Sequence, residues 1–194
     1  MDEFYQHDPL RDRLIVAGLD EIAQHGIAGF SLRRVSAACG ASCAAPYKHF
    51  KNKEELIMEI IRYANQQWEL LRDQVIAVAG DDPLTQITEV CIAYTRFWIA
   101  NPNYHFALND SAEEQLRGKT ESPNSVTNLI RRYCLANGNS EEMSACKICA
   151  IKAMLYGVTA MLDRAEIGNT PKTYGYIRAV VRTILISDIQ PHQI

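Results

Sequence analysis

The chain has 194 residues, 47% of them hydrophobic and 22% charged, and 20 basic against 23 acidic side chains leave a formal net charge of −3. Those proportions point to a globular protein that can bury a core without disulfide staples, rather than to a disordered, collagen-like or membrane-spanning chain. They also exclude a uniformly basic nucleic-acid coat, although a low average charge leaves room for a local patch.

Met1 to Leu10 is acidic and lacks the basic start and apolar stretch of a signal peptide, and no run approaches the ~18 uncharged apolar residues of a membrane span. A cytoplasmic protein with no membrane partner is expected. The six cysteines, Cys39, Cys43, Cys91, Cys134, Cys146 and Cys149, are then expected to be reduced, most of them packing as small hydrophobes.

Helical periodicity dominates and no period-2 alternation is bounded by hairpin turns, so the expected fold class is all-α. The first helix is capped by Asp8, starts at Pro9, turns Leu14, Ile15, Gly18 and Ile22 inward and stops at Gly26. Ser31 caps the second, with Phe30 and Val35 spaced as a hydrophobic staple, and Gly40 allows the turn that ends it. Ser42 is expected to cap a short third helix whose Pro46 falls within the first turn, where a proline removes few bonds.

The fourth helix opens with Asn52 and Glu55 in capping-box spacing, buries Ile57, Ile60, Ile61, Ala64, Trp68, Leu71, Val75 and Val78, and ends near Gly80 and Pro83. At about 25 residues, roughly 38 Å, it suits a connector between two helical units. A strongly apolar helix follows (Leu84, Ile87, Cys91, Tyr94, Trp98), reaching Asn101 before Pro102 forces a corner and a short segment Asn103 to Asn109. Asp110 to Ser122 reads as a polar loop or surface helix. After Pro123, Val126, Leu129, Ile130 and Tyr133 mark a helix ending at Asn137 and Gly138; Ser140 caps the next, extending to Gly168, and a last helix spans about Lys172 to Ser187.

Between Ile22 and Lys53 no acidic residue occurs, while Arg33, Arg34, Lys48, Lys51 and Lys53 place five positive charges in a chain that is negative overall. A solvated basic face would look the same. Here the charges coincide with a helix, a Gly-containing turn and a short helix, the helix-turn-helix order that seats a helix in the major groove.

Residues 31–56, SLRRVSAACGASCAAPYKHFKNKEEL, resemble the DNA-binding signature of TetR-type (tetracycline-repressor-like) transcriptional regulators. In that signature a Gly-containing turn leads to a short recognition helix with Tyr and another aromatic residue, then to a Lys-x-x-Leu start of the long helix. Gly40, Ser42, Tyr47, Phe50, Lys53 and Leu56 stand where the pattern puts them. Ala45 and Pro46 depart from it, since many members carry Thr and an aliphatic residue there, and the change removes one hydroxyl that could hold phosphate. Ala-Ala-Pro-Tyr-x-His-Phe looks like a recurring variant that marks a subgroup.

The resemblance implies an N-terminal three-helix helix-turn-helix unit (1–53, DNA-binding) joined by a long helix to a C-terminal helical bundle (54–194, ligand-binding and dimerisation). It also implies a ligand-responsive repressor that reads a palindromic double-stranded DNA operator as a homodimer, with an effector that changes the separation of the two DNA-reading heads. Ser42, Cys43 and Ala44 are placed at a helix N-terminus, where N–H groups and the dipole favour phosphate. Lys48 is a turn further along, within reach of a base edge or backbone; Tyr47, His49 and Lys53 are expected on phosphates, and Ser31 with Arg33 or Arg34 at the groove's flank. Packing inside the three-helix unit is the expected role of Phe50 and an open alternative for Tyr47.

Ala150, Ala153, Gly157 and Ala160 give one flat helix face, expected at the dimer interface, with close packing within one subunit as the alternative. A two-fold dimer would read half-sites spaced by roughly 34–36 Å or a multiple. Tyr94, Phe97, Trp98, Tyr104, His105, Phe106 and Met154 are candidates for lining a pocket for an unknown small-molecule effector, though aromatics at helical spacing also build plain core. Cys146-x-x-Cys149 raises the alternative of a thiol- or metal-responsive regulator, but two ligands are incomplete for zinc. Neither cofactor nor metal is expected. No Walker loop, Gly-x-Ser-x-Gly, His-Glu-x-x-His or dinucleotide fingerprint occurs, so no enzyme is expected either.

Overall fold

The computed structural model describes residues 9–102 and 125–187. The expected Asp8 cap, the segment Asn103 to Asn109, the polar stretch to Ser122 and the restart at Pro123 lie outside those residues. Among the described residues there are seven α-helices and no strand: α1 (Pro9–His25), α2 (Leu32–Ala38), α3 (Lys53–Val78), α4 (Pro83–Ala100), α5 (Val126–Ala136), α6 (Glu141–Asp163) and α7 (Pro171–Ile186). A single 3₁₀ turn, Ala45–Lys48, stands between α2 and α3.

The described residues fall into two compact units, one within Met1–Gln67 and Asn101–Gly118, the other within Trp68–Ala100 and Lys119–Ile194. In the first, Leu14, Ile15, Leu19 and Ile22 of α1, Val35 of α2 and Leu56, Ile57, Ile60, Ile61 and Ala64 of α3 are buried. Gly18 lets α1 lie close to α3, because a Cβ there would stand 2.4 Å from Ile60 Cδ1. α3 starts with Asn52 Oδ1 accepting the Glu55 N–H at 2.8 Å, while the Glu55 carboxylate reaches back to the Lys51 N–H. Its last residue differs from expectation: Val78 is 88% exposed, since the apolar period of α3 has drifted off the buried stripe by its final turn.

In the second unit α4 packs against α5, α6 and α7, α5 against α6, and α6 against α7. The core is built from Ile87, Val90 and Cys91 of α4, Leu129, Ile130 and Cys134 of α5, Ile148, Ile151 and Leu155 of α6, and Tyr174, Ile177, Val181 and Leu185 of α7. Lys147 is fully buried among them, and its Nζ donates at 2.8 Å to the Leu185 carbonyl in the last turn of α7. Burial pushes the Cys91 thiol up to about 12. It also raises Cys134, although Lys147 and the Ser144 hydroxyl pull the other way. These two thiols are inert packing groups.

The expected caps at Ser31 and Ser140 accept N–H groups from Arg34 and Met143, and Ser125 caps α5 by accepting the Asn128 N–H. α6 ends five residues before the expected Gly168, because the chain turns at Ala165 in the left-handed region (φ 55°) and the Glu166 N–H closes on Met161 O at 2.8 Å. By length and composition α6 could cross a membrane, which no run of the sequence was expected to do; a third of its apolar window is buried within the unit. Lys147 and Lys152 interrupt that run, and Ile151 and Leu155 make it a core helix.

An L-residue in the left-handed region costs about 1 kcal/mol that glycine does not. Ala165→Gly is therefore expected to raise stability by about 0.5–1 kcal/mol, read as a higher urea midpoint at unchanged m.

Candidate nucleic-acid interface

α1 closes at Gly26 (φ 65°), and the chain returns so tightly that a Cβ on Gly29 would stand 2.4 Å from the His25 carbonyl oxygen. Phe30 is buried, and α2 then begins against α1 through one carboxylate. Glu21, 7% exposed, accepts the Ser31 N–H at 3.0 Å and the Arg34 Nε at 2.8 and 3.1 Å, with Arg34 Nη2 closer still. Arg34 Nη2 also donates to the Gly29 carbonyl at 2.6 Å, and His25 Nε2 lies 3.8 Å from the same carboxylate.

Burial alone would raise the Glu21 carboxyl, but Arg34, the Ser31 N–H and His25 outweigh it and hold it below the ordinary carboxylate range. Sequence reasoning missed this residue. The signal was available: Glu21 is an acid on the buried side of α1 and the last one before the basic stretch.

α2 ends at Gly40 (φ 63°), where the Gly40 N–H meets Ala37 O and the Ala41 N–H meets Ser36 O. The expected third helix from Ser42 does not form. Ser42 O instead accepts the Ala45 N–H at 2.9 Å, Ala44 precedes the 3₁₀ turn without a side-chain cap, and the turn holds four residues. Pro46 contributes to this: it has no N–H to donate to a helical bond. The helix-dipole argument for phosphate at Ser42, Cys43 and Ala44 loses its basis with the helix, and these three positions are simply exposed.

The side chains around the turn divide cleanly. Pro46 and Phe50 are buried, whereas Tyr47 is 60% exposed and Lys48 is exposed beside it. His49 is half-buried, its ring edge-on to Phe50 at 6.2 Å, and the Arg11 guanidinium covers Phe50 at 5.6 Å. Lys53 is half-buried, with Nζ 5.8 Å from the Phe30 ring. On α2, Arg33 is exposed, Arg34 is held in the Glu21 clamp, and the Ser31 hydroxyl accepts the Arg34 N–H.

The remaining candidates among the described residues lie in the second unit. Phe97 and Trp98 are buried, Tyr94 and Met154 partly so, and Trp68, Tyr94, Phe97 and Trp98 form one aromatic cluster. Tyr104, His105 and Phe106 lie outside the described residues. Ala150 is half-buried, while Ala153, Gly157 and Ala160 are exposed. Cys146 is half-buried and Cys149 exposed, both as free thiols, and among the described residues no three or more His, Cys, Asp or Glu side chains cluster as metal ligands.

A short helix clamped to α1, a glycine turn and a basic turn ahead of a long helix define a helix-turn-helix regulator. Residues 14–60 match the family described as "Bacterial regulatory proteins, tetR family". The chain is 30% identical over 82 residues to the Escherichia coli "Probable acrEF/envCD operon repressor", a stretch that is 42% of this chain and 37% of that relative. The match thus spans little more than a third of the repressor's length.

The fold extends further than the sequence match. A TetR family transcription regulator from Marinobacter aquaeolei superposes with a TM-score of 0.74 at 15% identity, covering 90% of this chain and 94% of that one. A TetR variant from Acinetobacter baumannii, solved in complex with minocycline, has a TM-score of 0.56 at 12% identity, covering 89% and 92%. At such identities the likeness is one of fold.

Because the folded Glu21 is more acidic than the unfolded one, its contribution to stability is present above the ordinary carboxylate pKa and lost as pH falls through the lower folded value. Glu21→Gln is expected to lower Tm at pH 7, and the gap to wild type should close as the pH is taken below about 4. A gap of constant size down to pH 2 would contradict the clamp.

Proposed function

We propose that the chain is a ligand-responsive repressor that binds a palindromic double-stranded DNA operator as a homodimer. The observation that carries this reading is the acid-free stretch from Ile22 to Lys53, whose Arg33, Ser42, Cys43, Ala44, Tyr47 and Lys48 stand exposed on one helix-turn-helix. Phosphate contacts come from Lys48, Tyr47, His49, Lys53 and the Ser31–Arg33 end of α2, and base edges are read from Tyr47 and Lys48. Arg34 contributes through the clamp that orients this surface. The functional division is residues 1–53 for DNA and 54–194 for ligand and dimer, and the site of action is inside the cell, where the DNA is.

Dimerisation through α6 and α7 is supported by what those helices leave uncovered. Ala153, Gly157 and Ala160 form an exposed small-residue stripe beside Tyr156 and Met161, and α7 exposes Tyr176, Val180 and Ile186. An apolar face shared by two packed helices is what a second copy would cover. Ligand response is supported by the aromatic cluster around Tyr94, Phe97 and Trp98, with Met154 on the same core, and by the minocycline bound to the Acinetobacter baumannii protein. Repression is supported by the function that the Escherichia coli relative's name carries.

The deciding experiment titrates the purified chain against DNA from immediately upstream of its own gene, with excess nonspecific competitor, across a salt series. Three phosphate-neutralising cations per subunit, Arg33, Lys48 and Lys53, give a log–log salt slope of about −5 for a dimer. Lys48→Ala is expected to weaken binding and bring the slope about 2 closer to zero, with Tm unchanged to within about a degree because the side chain is exposed. A slope near zero in the wild type, or binding erased by competitor at every salt, would remove the operator reading.

Gly157→Glu places a charge on the open stripe, where no atom lies within 4 Å of a Cβ. The variant is expected to sediment as a monomer and to lose operator affinity by about tenfold or more, with its helix content intact. Sedimentation as a dimer would move the interface elsewhere.

A further inference from the structure

Arg72 lies on the part of α3 that belongs to the second unit, one turn after Trp68 and one turn before Val75 and Ile76, and those three residues pack against the unit's apolar core. It is only 3% exposed. The guanidinium donates through Nε and Nη2 to a single oxygen, Oδ1 of Asp73, at 3.1 and 3.0 Å. Asp73 is the next residue and its side chain is 54% exposed, so the counter-charge stays largely in water while the cation does not.

An arginine has five N–H donors. Two of those on Arg72 are used on that one oxygen, and the other three meet no acceptor among the described residues. A cation taken out of water is retained where an anion or several acceptors meet it.

What lies one turn away is an aromatic wall. The Trp68 ring stands edge-on to Tyr94 at 5.4 Å and tilted to Phe97 at 5.5 Å, and Trp98 closes on Tyr94 at 5.7 Å and on Phe97 at 5.3 Å. The Thr159 hydroxyl on α6 is a buried polar group of this unit with no hydrogen-bond partner among the described residues. An aromatic face with a guanidinium one helical turn away can hold an organic anion by its body and its head at once.

We propose that Arg72 is the anion receptor of the second unit, and that the effector is an organic carboxylate with an apolar or aromatic body. The proposal rests on the ligand-responsive reading above and names the ligand class for it. The carboxylate meets the unused N–H groups of Arg72, and the body lies against the face that Trp68 and its ring partners form. A neutral amide of the same shape would leave the guanidinium uncompensated.

The chain has two tryptophans, Trp68 and Trp98, and both belong to this cluster, so intrinsic fluorescence reports on it directly. The full-length protein is titrated with benzoate, salicylate and octanoate, and with benzamide, salicylamide and octanamide as neutral counterparts, reading fluorescence and Tm together. At least one carboxylate is expected to give a saturable fluorescence change and a raised Tm, with its amide about tenfold weaker or worse.

Arg72→Gln is expected to abolish the preference for acid over amide, and Arg72→Lys to keep part of it. If the glutamine variant does not fold, the lysine variant and the wild-type comparison decide. No saturable response to any carboxylate, equal binding of acid and amide, or an unchanged preference in the glutamine variant overturns the proposal. Operator titration of the same samples separates the two readings. Operator binding without a carboxylate preference removes this ligand class alone, whereas a carboxylate preference without operator binding removes the repressor reading and leaves Arg72 as an anion site.

Discussion

Glu21 is the point from which the DNA-reading end of the chain is hung, because α2 is too short to stand by itself. A seven-residue helix lies well below the length at which hydrogen bonding repays nucleation. It forms because the Glu21 carboxylate takes the Ser31 N–H just before its first turn and the Arg34 guanidinium at the end of that turn, fixing both to α1. The same guanidinium reaches the Gly29 carbonyl, so the loop and the helix share one anchor. Two neighbouring arginines thereby take different roles: both are exposed, but the Arg34 guanidinium is tied into the clamp.

The turn that follows works by a different principle. With Pro46 in place there is one 3₁₀ turn and no helix to supply a dipole or a row of free N–H groups. Rigidity comes from the two residues that point inward, Pro46 and Phe50, with the Arg11 guanidinium over the Phe50 ring. What the turn can offer a phosphate or a base edge is therefore its side chains, above all Tyr47 and Lys48, held by a buried proline rather than by a helix axis.

In the second unit, two cations are buried in contrasting ways. Lys147 is satisfied from within the fold: its ammonium meets the Leu185 carbonyl, one of the last carbonyls of α7 that have no partner along their own helix, and so ties α6 to the end of α7. Among the described residues Arg72 has the carboxylate of its sequence neighbour, and that carboxylate is half in water. One buried cation is thus met by a main-chain carbonyl of another helix and the other by the side chain next to it in sequence.

The sequence by itself determined the helices and most of their ends, because caps and turns are local. Ser31, Ser125, Ser140 and Thr170 each accept the N–H three residues on, and Gly26, Gly40, Gly80 and Gly138 each carry the positive φ that lets a helix stop. It also determined the basic, acid-free stretch and the motif around it, since both are read along the chain. Only the tertiary structure decided which charges are tied up inside the fold. That Arg34 is tied into a clamp depends on Glu21, more than ten residues earlier on another helix, and the burial of Lys147 depends on a carbonyl 38 residues away. Periodicity ranks positions by the face they occupy, and it carries no information about the partner that waits there; that is why an acid and two cations on buried faces were legible only once the helices had packed.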